Sequence, residues 1–286
     1  MIHFNSVTII GVGLIGGSLA KVLRAKQLTG RITGAGRSRQ SLELALKLGV
    51  IDHIAQDAKR AVEDADLVVL ASPVGIFETI TREIGPHLKK GAILTDVGSV
   101  KGLLVRTVEG LTPKGVHFVP GHPIAGKEKF GVAEATESLF HGAKCILTPT
   151  KNTDEQAFSV VKEVWTAAGS KVIVMDPDMH DKVFAAVSHM PHVAAFAMMC
   201  AVAELHTGSE DYLNFSGAGF RDFTRIAASS PEMWKDICLL NRDNIVQMMD
   251  RYQTVLNTFR EELLAGDGKK LEMHLKASSE ARRGLG

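Results

Sequence analysis

The chain has 286 residues, more than most single domains contain, so we expect two domains. Hydrophobic residues make up 45% of the chain, which suffices for a core, and the formal net charge is only +1. This balance excludes the strong positive field with which proteins gather nucleic acid or anionic membranes. The three cysteines form no Cys-x-x-Cys pair, which argues against zinc ribbons and a disulfide framework. The N-terminal segment lacks the basic start and cleavage site of a signal peptide, so we expect a cytoplasmic protein.

Short aliphatic strands alternate with helical segments through the first 125 residues. This rhythm predicts an α/β fold, a Rossmann-type doubly wound parallel sheet with helices on both faces. A further strand, helix and strand follow, and Thr153 is the expected N-cap of that helix. The predicted strands are 7–10, 31–35, 67–70, 92–96, 116–119, 144–147 and 171–175, and the helix between the last two strands covers 154–168.

The strand pattern disappears after Asp176-Pro177, and the rest of the chain is predicted to be all-helical. Ser230-Pro231 is typical of an N-cap followed by proline at the first helical position. We therefore predict a dinucleotide-binding domain over 1–175 and a helical substrate and dimerisation domain over 176–286. The predicted helices are 183–205, 233–264 and 271–281.

The segment 193–203 is apolar on every side of a helix. It covers about half of the ~20 residues needed to cross a bilayer, so it predicts a buried helix and not a membrane span. A helix on the surface of a small monomeric domain would not tolerate such a composition. We therefore expect the helical domain to pack against a second copy of itself, as a homodimer.

A glycine fingerprint, Gly11, Gly13 and Gly16, follows the first strand and opens a helix, which predicts a dinucleotide site. The first glycine permits the tight turn, the second lets a pyrophosphate approach, and the third lets helix and strand pack. We assign Leu14, Ile15, Ser72 and Pro73 to the same site.

The turn after the second strand carries no carboxylate for the ribose hydroxyls of NAD. It reads Gly36-Arg37-Ser38-Arg39, and both arginines and the serine are suited to hold a 2′-phosphate. The sequence therefore favours NADP, with NAD as the alternative. The alternative is that Arg37 and Arg39 bind no phosphate and are simply solvated turn residues.

His122 and Arg225 stand in distinctive segments downstream of the fingerprint. A neutral imidazole can take a proton from a hydroxyl while hydride leaves the same carbon, and a guanidinium can hold a carboxylate by two bonds. Together with a nicotinamide they indicate a dehydrogenase for a carboxylated alcohol. A satisfied structural histidine and a structural ion pair are the alternatives.

These segments resemble the prephenate and arogenate dehydrogenases of tyrosine biosynthesis. The resemblance implies oxidative decarboxylation of a cyclohexadienol, with hydride passing to the cofactor and the ring carboxylate leaving as carbon dioxide. It covers nearly the whole chain. Besides the fingerprint, its motifs are 96–101, 121–128, 188–192 and 220–225, followed by Met233-Trp234.

The resemblance also implies roles for particular residues. His122 matches the base that takes the hydroxyl proton, and Ser99 matches the serine that orients this histidine beside the nicotinamide. Arg225 and His192 match substrate-binding residues, and His192 tilts the substrate toward prephenate. For Ser99 a turn or helix cap is the alternative. Glu128, Asp222 and Trp234 align with a polar and aromatic rim, or else cap turns and pack a domain seam.

Three other kinds of protein or site fit parts of the sequence less well. His189 and His192 lie three residues apart, but Pro191 intervenes and no further ligand set accompanies them, so we expect no metal. A β-hydroxyacid dehydrogenase would need a catalytic lysine motif in the helical half, and none is found. A sensor that binds the nucleotide without turnover would need neither His122 nor Arg225. Arogenate, or both compounds, is the alternative to prephenate as substrate.

Overall fold

A computed structural model of the chain describes residues 2–126, 131–207 and 210–285. The strands are β1 Val7–Ile10, β2 Ile32–Ala35, β3 His53–Ile54, β4 Leu67–Leu70, β5 Ile93–Asp96, β6 His117–Val119, β7 Gly121–Ile124, β8 Lys144–Leu147, β9 Lys171–Val174, β10 His206–Thr207 and β11 Glu210–Asp211. The helices are α1 Leu14–Ala25, α2 Arg39–Lys47, α3 Ala58–Val62, α4 Phe77–Ile84, α5 Gly102–Leu111, α6 Glu155–Ala167, α7 Pro177–Phe184, α8 Met190–Ala203, α9 Ala218–Thr224, α10 Pro231–Leu240, α11 Arg242–Ala265 and α12 Gly268–Arg283.

The first half of the chain forms the predicted Rossmann-type domain. Within the described residues its sheet has the order β3-β2-β1-β4-β5-β6, with every neighbouring pair parallel. The central strands β1 and β4 are buried along their whole length, as strands covered by helices on both faces must be. Chain order reverses between β1 and β4, and ligands of such sheets bind at the carboxyl ends of the strands at this point.

A second, smaller sheet has the order β7-β8-β9 and holds one element that the sequence pattern did not predict. The missed strand is β7, which runs antiparallel to β8 and carries His122 opposite Ile146. Glycine and proline weaken a strand pattern, and β7 contains both Gly121 and Pro123. The expected unit β8-α6-β9 is present and parallel, but the N-cap of α6 is Asp154, whose carboxylate accepts from the Ala157 N–H at 2.8 Å. Thr153 is therefore not the cap.

The second half of the chain is a helical domain whose first helix differs from the prediction. It begins at Pro177 and runs without a break through α7, a π-helical turn over Ala185–His189, and α8. The π-turn directly precedes Pro191, which has no N–H and whose ring would collide with the carbonyl four residues earlier. The wide turn relieves that conflict, and on this part of the helix His189 is buried and His192 is half-buried.

Two further corrections concern the same domain. The predicted helix 233–264 is two helices, because Asn241 ends α10 outside helical geometry before α11 begins. The strands β10 and β11 pair as a short antiparallel ladder, so the domain is not entirely helical. The N-cap at Ser230 is confirmed, since its hydroxyl accepts from the Met233 N–H at 3.3 Å.

The helix over Pro177–Ala203 is, by length and composition alone, long and apolar enough to span a membrane, with 28% of its most apolar window buried. The apolar run that the sequence analysis measured is thus only part of a longer helix. The helix also carries His180 and Asp181, which are buried against the Rossmann-type domain. This end of the helix therefore packs against the Rossmann-type domain.

Candidate active site

His122 lies at the centre of a hydrogen-bonded chain that crosses between the two domains. Its Nδ1 is 2.8 Å from Nε2 of His180, and Nδ1 of His180 is 2.9 Å from Oδ1 of Asp181. A carboxylate can only accept, so His180 donates from Nδ1 and accepts at Nε2. His122 therefore donates from Nδ1 and keeps a lone pair on Nε2. The arrangement leaves His122 with the tautomer that a proton acceptor needs.

Asp181 is held by the first turn of a helix in the other domain. Its two carboxylate oxygens accept from the backbone N–H groups of Lys101 and Gly102, each at 2.8 Å. These groups open α5, whose N-terminal end favours a negative charge. A Cβ on Gly102 would lie 2.9 Å from this carboxylate, so glycine is what allows the approach. Asp181 both orients His180 and joins the two domains.

A buried ion pair supports the loop beneath these groups. The Lys101 ammonium contacts the Asp96 carboxylate at the end of β5, and both side chains are wholly buried. Asp96 also accepts from the Gly98 N–H at 2.8 Å and from the Gly121 N–H at 3.1 Å. Because these bonds span the ends of β5 and β7, Asp96 fixes the loop containing Ser99 relative to the strand containing His122.

The surroundings of His122 keep its ring neutral. Burial lowers the pKa of His122 well below its ordinary value, and the nearby His180, Lys101 and His189 lower it further. The pKa of His180 is lowered as well, chiefly by burial, although its hydrogen bond to Asp181 opposes the shift. Both rings are therefore uncharged near neutral pH, as the tautomers above require.

Ser99 follows β5 at the same edge of the sheet, and among the described residues no hydrogen bond joins its hydroxyl to His122. Within the described chain its hydroxyl makes no hydrogen bond, and Nδ1 of His122 is taken by His180. Its half-buried side chain remains open to a ligand at the strand ends. A role for Ser99 beside the substrate and cofactor stays a prediction.

His189 is a structural partner of this network. Asn241 donates to Nδ1 of His189 at 3.0 Å and to the backbone oxygen of Asp181 at 2.8 Å. Burial lowers the pKa of His189 to about 4. No group among the described residues lies in hydrogen-bonding geometry with Nε2 of His189. The backbone of Ser99 is nevertheless close enough to raise the pKa of His189, which partly opposes the effect of burial.

His192 stacks on an aromatic ring and lies within electrostatic reach of Arg225. His192 donates from Nδ1 to the Ser188 carbonyl at 2.9 Å, which leaves Nε2 as an acceptor, and its ring stacks on Trp234 at 3.7 Å between centroids. The positive charge of Arg225 lowers the pKa of His192, after the larger effect of burial. Trp234 is buried in the core shared with Val74, so it packs the seam between the domains.

The remaining rim residues are not brought into this cluster by any described contact. Asp222 lies exposed on α9, one turn before Arg225, and within the described chain it makes no hydrogen bond or ion pair. Glu128 lies outside the described residues. Substrate contacts by either residue stay predictions.

The glycine fingerprint forms a turn that fits a dinucleotide. Gly11 has φ of +103°, and a Cβ there would come within 2.5 Å of the Ala71 carbonyl group. A Cβ on Gly16 would lie 2.4 Å from the Gly11 oxygen, whereas one on Gly13 would meet nothing within 4 Å. The turn is therefore closed toward the protein and open at Gly13, where α1 begins with Leu14 and Ile15.

A cavity of about 580 Å³ continues from this turn along the carboxyl ends of β1, β2 and β4. The Ser72 hydroxyl in its wall is buried without a hydrogen-bond partner among the described residues, which suits a cofactor oxygen. A cavity of this size, with both apolar and polar groups in its lining, fits the adenosine half of a dinucleotide. The lining includes Gly11, Gly13, Gly36, Arg37, Ser38, Ser41, Ser72, Pro73, Ile76 and Thr79.

The three residues expected to hold a 2′-phosphate differ in their surroundings. Ser38 caps α2, because its hydroxyl accepts from the Ser41 N–H at 3.2 Å, and Arg39 bonds Glu43 along the same helix at 2.8 Å. Arg39 is also absent from the cavity lining, whereas Arg37 belongs to it. Ser41, which the sequence analysis did not select, lines the cavity as well.

No pattern in the sequence predicted the roles of His180, Asp181, Asn241 and the Asp96–Lys101 pair. The signal for the first two was a His-Asp pair placed just inside a helix that otherwise becomes apolar. That signal indicates buried polar groups in need of partners, but it names no partner.

The chain matches two family models, and the matched segments follow one another. The nucleotide-binding domain of prephenate dehydrogenase matches residues 19–174, and the dimerisation domain of prephenate dehydrogenase matches residues 176–277. The first match covers the Rossmann-type domain from residue 19 onward, just after the fingerprint, and the second covers most of the helical half.

Individual proteins that are similar to this chain carry the same family name or a related one. A prephenate dehydrogenase of Bacillus subtilis is 36% identical over 98% of this chain and 76% of its own length. A cyclohexadienyl dehydrogenase of Zymomonas mobilis is 34% identical over 100% of this chain and 97% of its own length. The crystal structure of prephenate dehydrogenase from A. aeolicus, in complex with hydroxyphenyl propionate and NAD+, is 40% identical, with a TM-score of 0.94 over 99% of this chain and 98% of that one. Sequence motifs, fold and relatives thus agree that this chain belongs to the prephenate dehydrogenase family.

Proposed function

We propose that this chain catalyses the NAD(P)-dependent oxidative decarboxylation of prephenate to 4-hydroxyphenylpyruvate, a step of tyrosine biosynthesis in the cytoplasm. The observation that carries the proposal is the series of hydrogen bonds from Asp181 through His180 to His122. It presents one neutral imidazole nitrogen, with its lone pair free, at the edge of the sheet where the dinucleotide turn also lies.

His122 acts as the base in this scheme. Its Nε2 accepts the proton of the substrate hydroxyl, and the positive charge that forms is shared with His180 and faces the Asp181 carboxylate. A bound NAD(P) would accept the hydride from the carbon that bears this hydroxyl. Loss of the ring carboxylate as carbon dioxide then leaves an aromatic phenolate. The proton returns from His122 to that oxygen, so His122 ends each turnover neutral.

Arg225 holds a carboxylate of the substrate, and His192 binds a second polar group of the substrate. Arg225 lies near enough to His192 for its charge to lower the pKa of that ring, and its guanidinium suits a carboxylate. The neutral His192 ring keeps Nε2 as an acceptor, which suits a hydroxyl of the substrate. Stacking on Trp234 sets the orientation of the His192 ring. Ser99 faces the same edge and is assigned to the substrate side of the cofactor, with Glu128 and Asp222 at the rim.

The fingerprint turn and the cavity hold the cofactor through Gly11, Gly13, Gly16, Leu14, Ile15, Ser72 and Pro73. We favour NADP over NAD, because Gly36 provides no carboxylate to repel a 2′-phosphate and Arg37 lines the cavity. A Cβ on Gly36 would meet only the Gly11 nitrogen at 4.0 Å, so Gly36→Asp is sterically permitted. That variant should make NAD the tighter cofactor in calorimetric titrations, and an unchanged order would place the ribose elsewhere.

A second substrate, arogenate, is supported by a similar solved structure, the arogenate dehydrogenase of Synechocystis, which is 28% identical over 98% of this chain. Incubating the purified chain with either compound and either cofactor, and following absorbance of the reduced nicotinamide, tests both possibilities. The proposal expects turnover of prephenate to exceed that of arogenate. Equal or greater turnover of arogenate would reassign the substrate, and no turnover of either would overturn the proposed function.

We also propose that two copies pair through the helical domain, with the domain boundary between residues 175 and 176. In the single chain only Met190 and Ala195 of the apolar helix α8 are buried. Large apolar side chains of α11 and α12 are exposed too, among them Leu263 at 65%, Leu264 at 72% and Met273 at 58%. A second copy would cover such a surface, and monomeric proteins rarely leave one bare.

A further inference from the structure

A carboxylate from the helical domain lies beside the turn where the Rossmann-type domain has none. Oε1 of Glu232 is 3.7 Å from Nη2 of Arg37, and both side chains are largely exposed. Arg37 follows Gly36 directly after β2 and lines the proposed cofactor cavity. Glu232 lies in the first turn of α10 and does not line it.

The position of Glu232 is set by packing and not by this weak ion pair. Ser230 and Pro231 start α10 with a capped turn, and Trp234 and Ile237 of the same helix are buried. The Asp236 carboxylate sits so close to Gly75 that a Cβ there would lie 2.2 Å from Oδ2. The start of α10 is therefore held over the segment 72–76, which forms another part of the cavity wall.

We propose that Glu232 is a specificity-determining residue that restrains the preference for NADP by competing for Arg37. A 2′-phosphate bound at Arg37 brings up to two negative charges next to the Glu232 carboxylate and must share the guanidinium with it. The ribose hydroxyls of NAD bring no charge and meet no such penalty. Selectivity is then a balance between Arg37, which attracts the phosphate, and a carboxylate supplied by the other domain.

This inference rests on the proposed use of NAD(P) at this cavity. The test is calorimetric titration of NADP+ and NAD+ into the full-length wild type and Glu232→Gln, at about 50 mM salt so that surface charges are only partly screened. Glu232→Gln should raise the ratio of NADP+ to NAD+ affinity about three- to tenfold, almost entirely through tighter NADP+ binding. The effect should shrink at about 0.5 M salt.

Glu43→Gln is the matched control, because Glu43 is an exposed carboxylate on α2 that pairs with Arg39 outside the cavity lining. Its ratio should change less than twofold. A change of less than twofold in Glu232→Gln, or an equal change in both variants, would overturn the inference while leaving the proposed function in place. A wild type that binds neither cofactor would overturn both.

Discussion

His122 and His180 face each other across the domain boundary, with Nδ1 of one 2.8 Å from Nε2 of the other. Only one assignment of protons fits this contact once the Asp181 carboxylate accepts from the far side of His180. The tautomer of His122 is therefore decided by a residue of the helical domain, although His122 belongs to the other half of the chain.

Replacing His122 with asparagine should lower kcat by about 10²- to 10⁴-fold, the usual contribution of a positioned base. Asparagine retains a polar group next to His180 but has no basic nitrogen. The Kd of the cofactor, measured by calorimetry, should stay within twofold of wild type because the fingerprint turn is untouched. A variant with near-normal kcat would remove His122 from the mechanism.

Asp181→Asn should lower kcat by a similar factor, because the amide can donate to Nδ1 of His180 and reverse both tautomers. His122 would then carry its proton on Nε2, facing the substrate. In the His122→Asn background the same change should cost little more, since the residues act as one unit.

The matched control for Asp181→Asn is Asp178→Asn, which removes an exposed carboxylate of the same helix, paired with Arg106 at 2.8 Å. It should alter kcat less than twofold. Both variants need a measured free energy of unfolding, because Asp181 also caps α5 and its loss should cost about 1–3 kcal/mol. A folded Asp181→Asn enzyme with normal kcat would show that His122 is oriented in another way.

The free energy of unfolding should fall as the pH drops from about 6.5 toward 4, because of His189. Its pKa is lowered to about 4 in the folded chain from an ordinary value of 6.5. In this window the unfolded chain binds a proton that the folded chain does not, so acid favours unfolding, by up to about 3 kcal/mol at pH 4. Urea titrations at several pH values measure the slope.

His189→Gln is the comparison for that slope, because glutamine can still accept from Asn241 but does not titrate. The variant should lose part of the pH dependence, and other histidines whose pKa values are lowered, His122, His180 and His192, contribute to the remainder. An identical slope in both proteins would mean that His189 does not stay neutral in the folded state.

Arg225→Ala should chiefly raise KM, because it removes an interaction present in both the ground state and the transition state. A charge-assisted bond to a carboxylate is worth roughly 1.5–3 kcal/mol, or about ten- to a hundredfold in binding. Steady-state kinetics with Arg221→Ala as control, an exposed arginine that bonds the Ser216 carbonyl, measure the effect. An unchanged KM in Arg225→Ala would assign the carboxylate to another cation.

The protein should sediment as a homodimer at micromolar concentration, because α8 and its neighbours expose too much apolar surface for a monomer. Analytical ultracentrifugation measures this directly. Leu264→Glu, at a side chain that is 72% exposed in the single chain, should shift the equilibrium toward monomer. Glu261→Gln on the same helix is a control at a polar position. A stable wild-type monomer would contradict the proposed interface.

The parts of the fold that were predictable are those written in neighbouring residues. Strand periodicity placed β1 and β4 to the residue, and the spacing of Gly11, Gly13 and Gly16 predicted the turn that the structure contains. The Ser230-Pro231 start of α10 was also correct. Turn chemistry and alternation act over a few residues, so the chain itself carries these signals.

Errors arose where local preference was weak or overruled. The strand β7 has the glycine and proline of a turn, yet pairing with β8 holds it extended and determines where His122 stands. Asn241 interrupts a helix that periodicity had joined, because its side chain serves Asp181 and His189 instead. In both cases hydrogen bonds to distant parts of the chain outweighed the local conformational preference.

The motifs around His122 and Arg225 were enough to predict a proton acceptor and a carboxylate-binding cation. The glycine spacing was enough to predict a dinucleotide site. The groups that set their properties were not recognisable, because His180 is 58 residues from His122 and Asp181 is 80 residues from Lys101. No periodic pattern links positions so far apart. Their meeting depends on how the helical domain packs against the ends of β5 and β7, and only that packing gives a buried imidazole its tautomer and its lowered pKa.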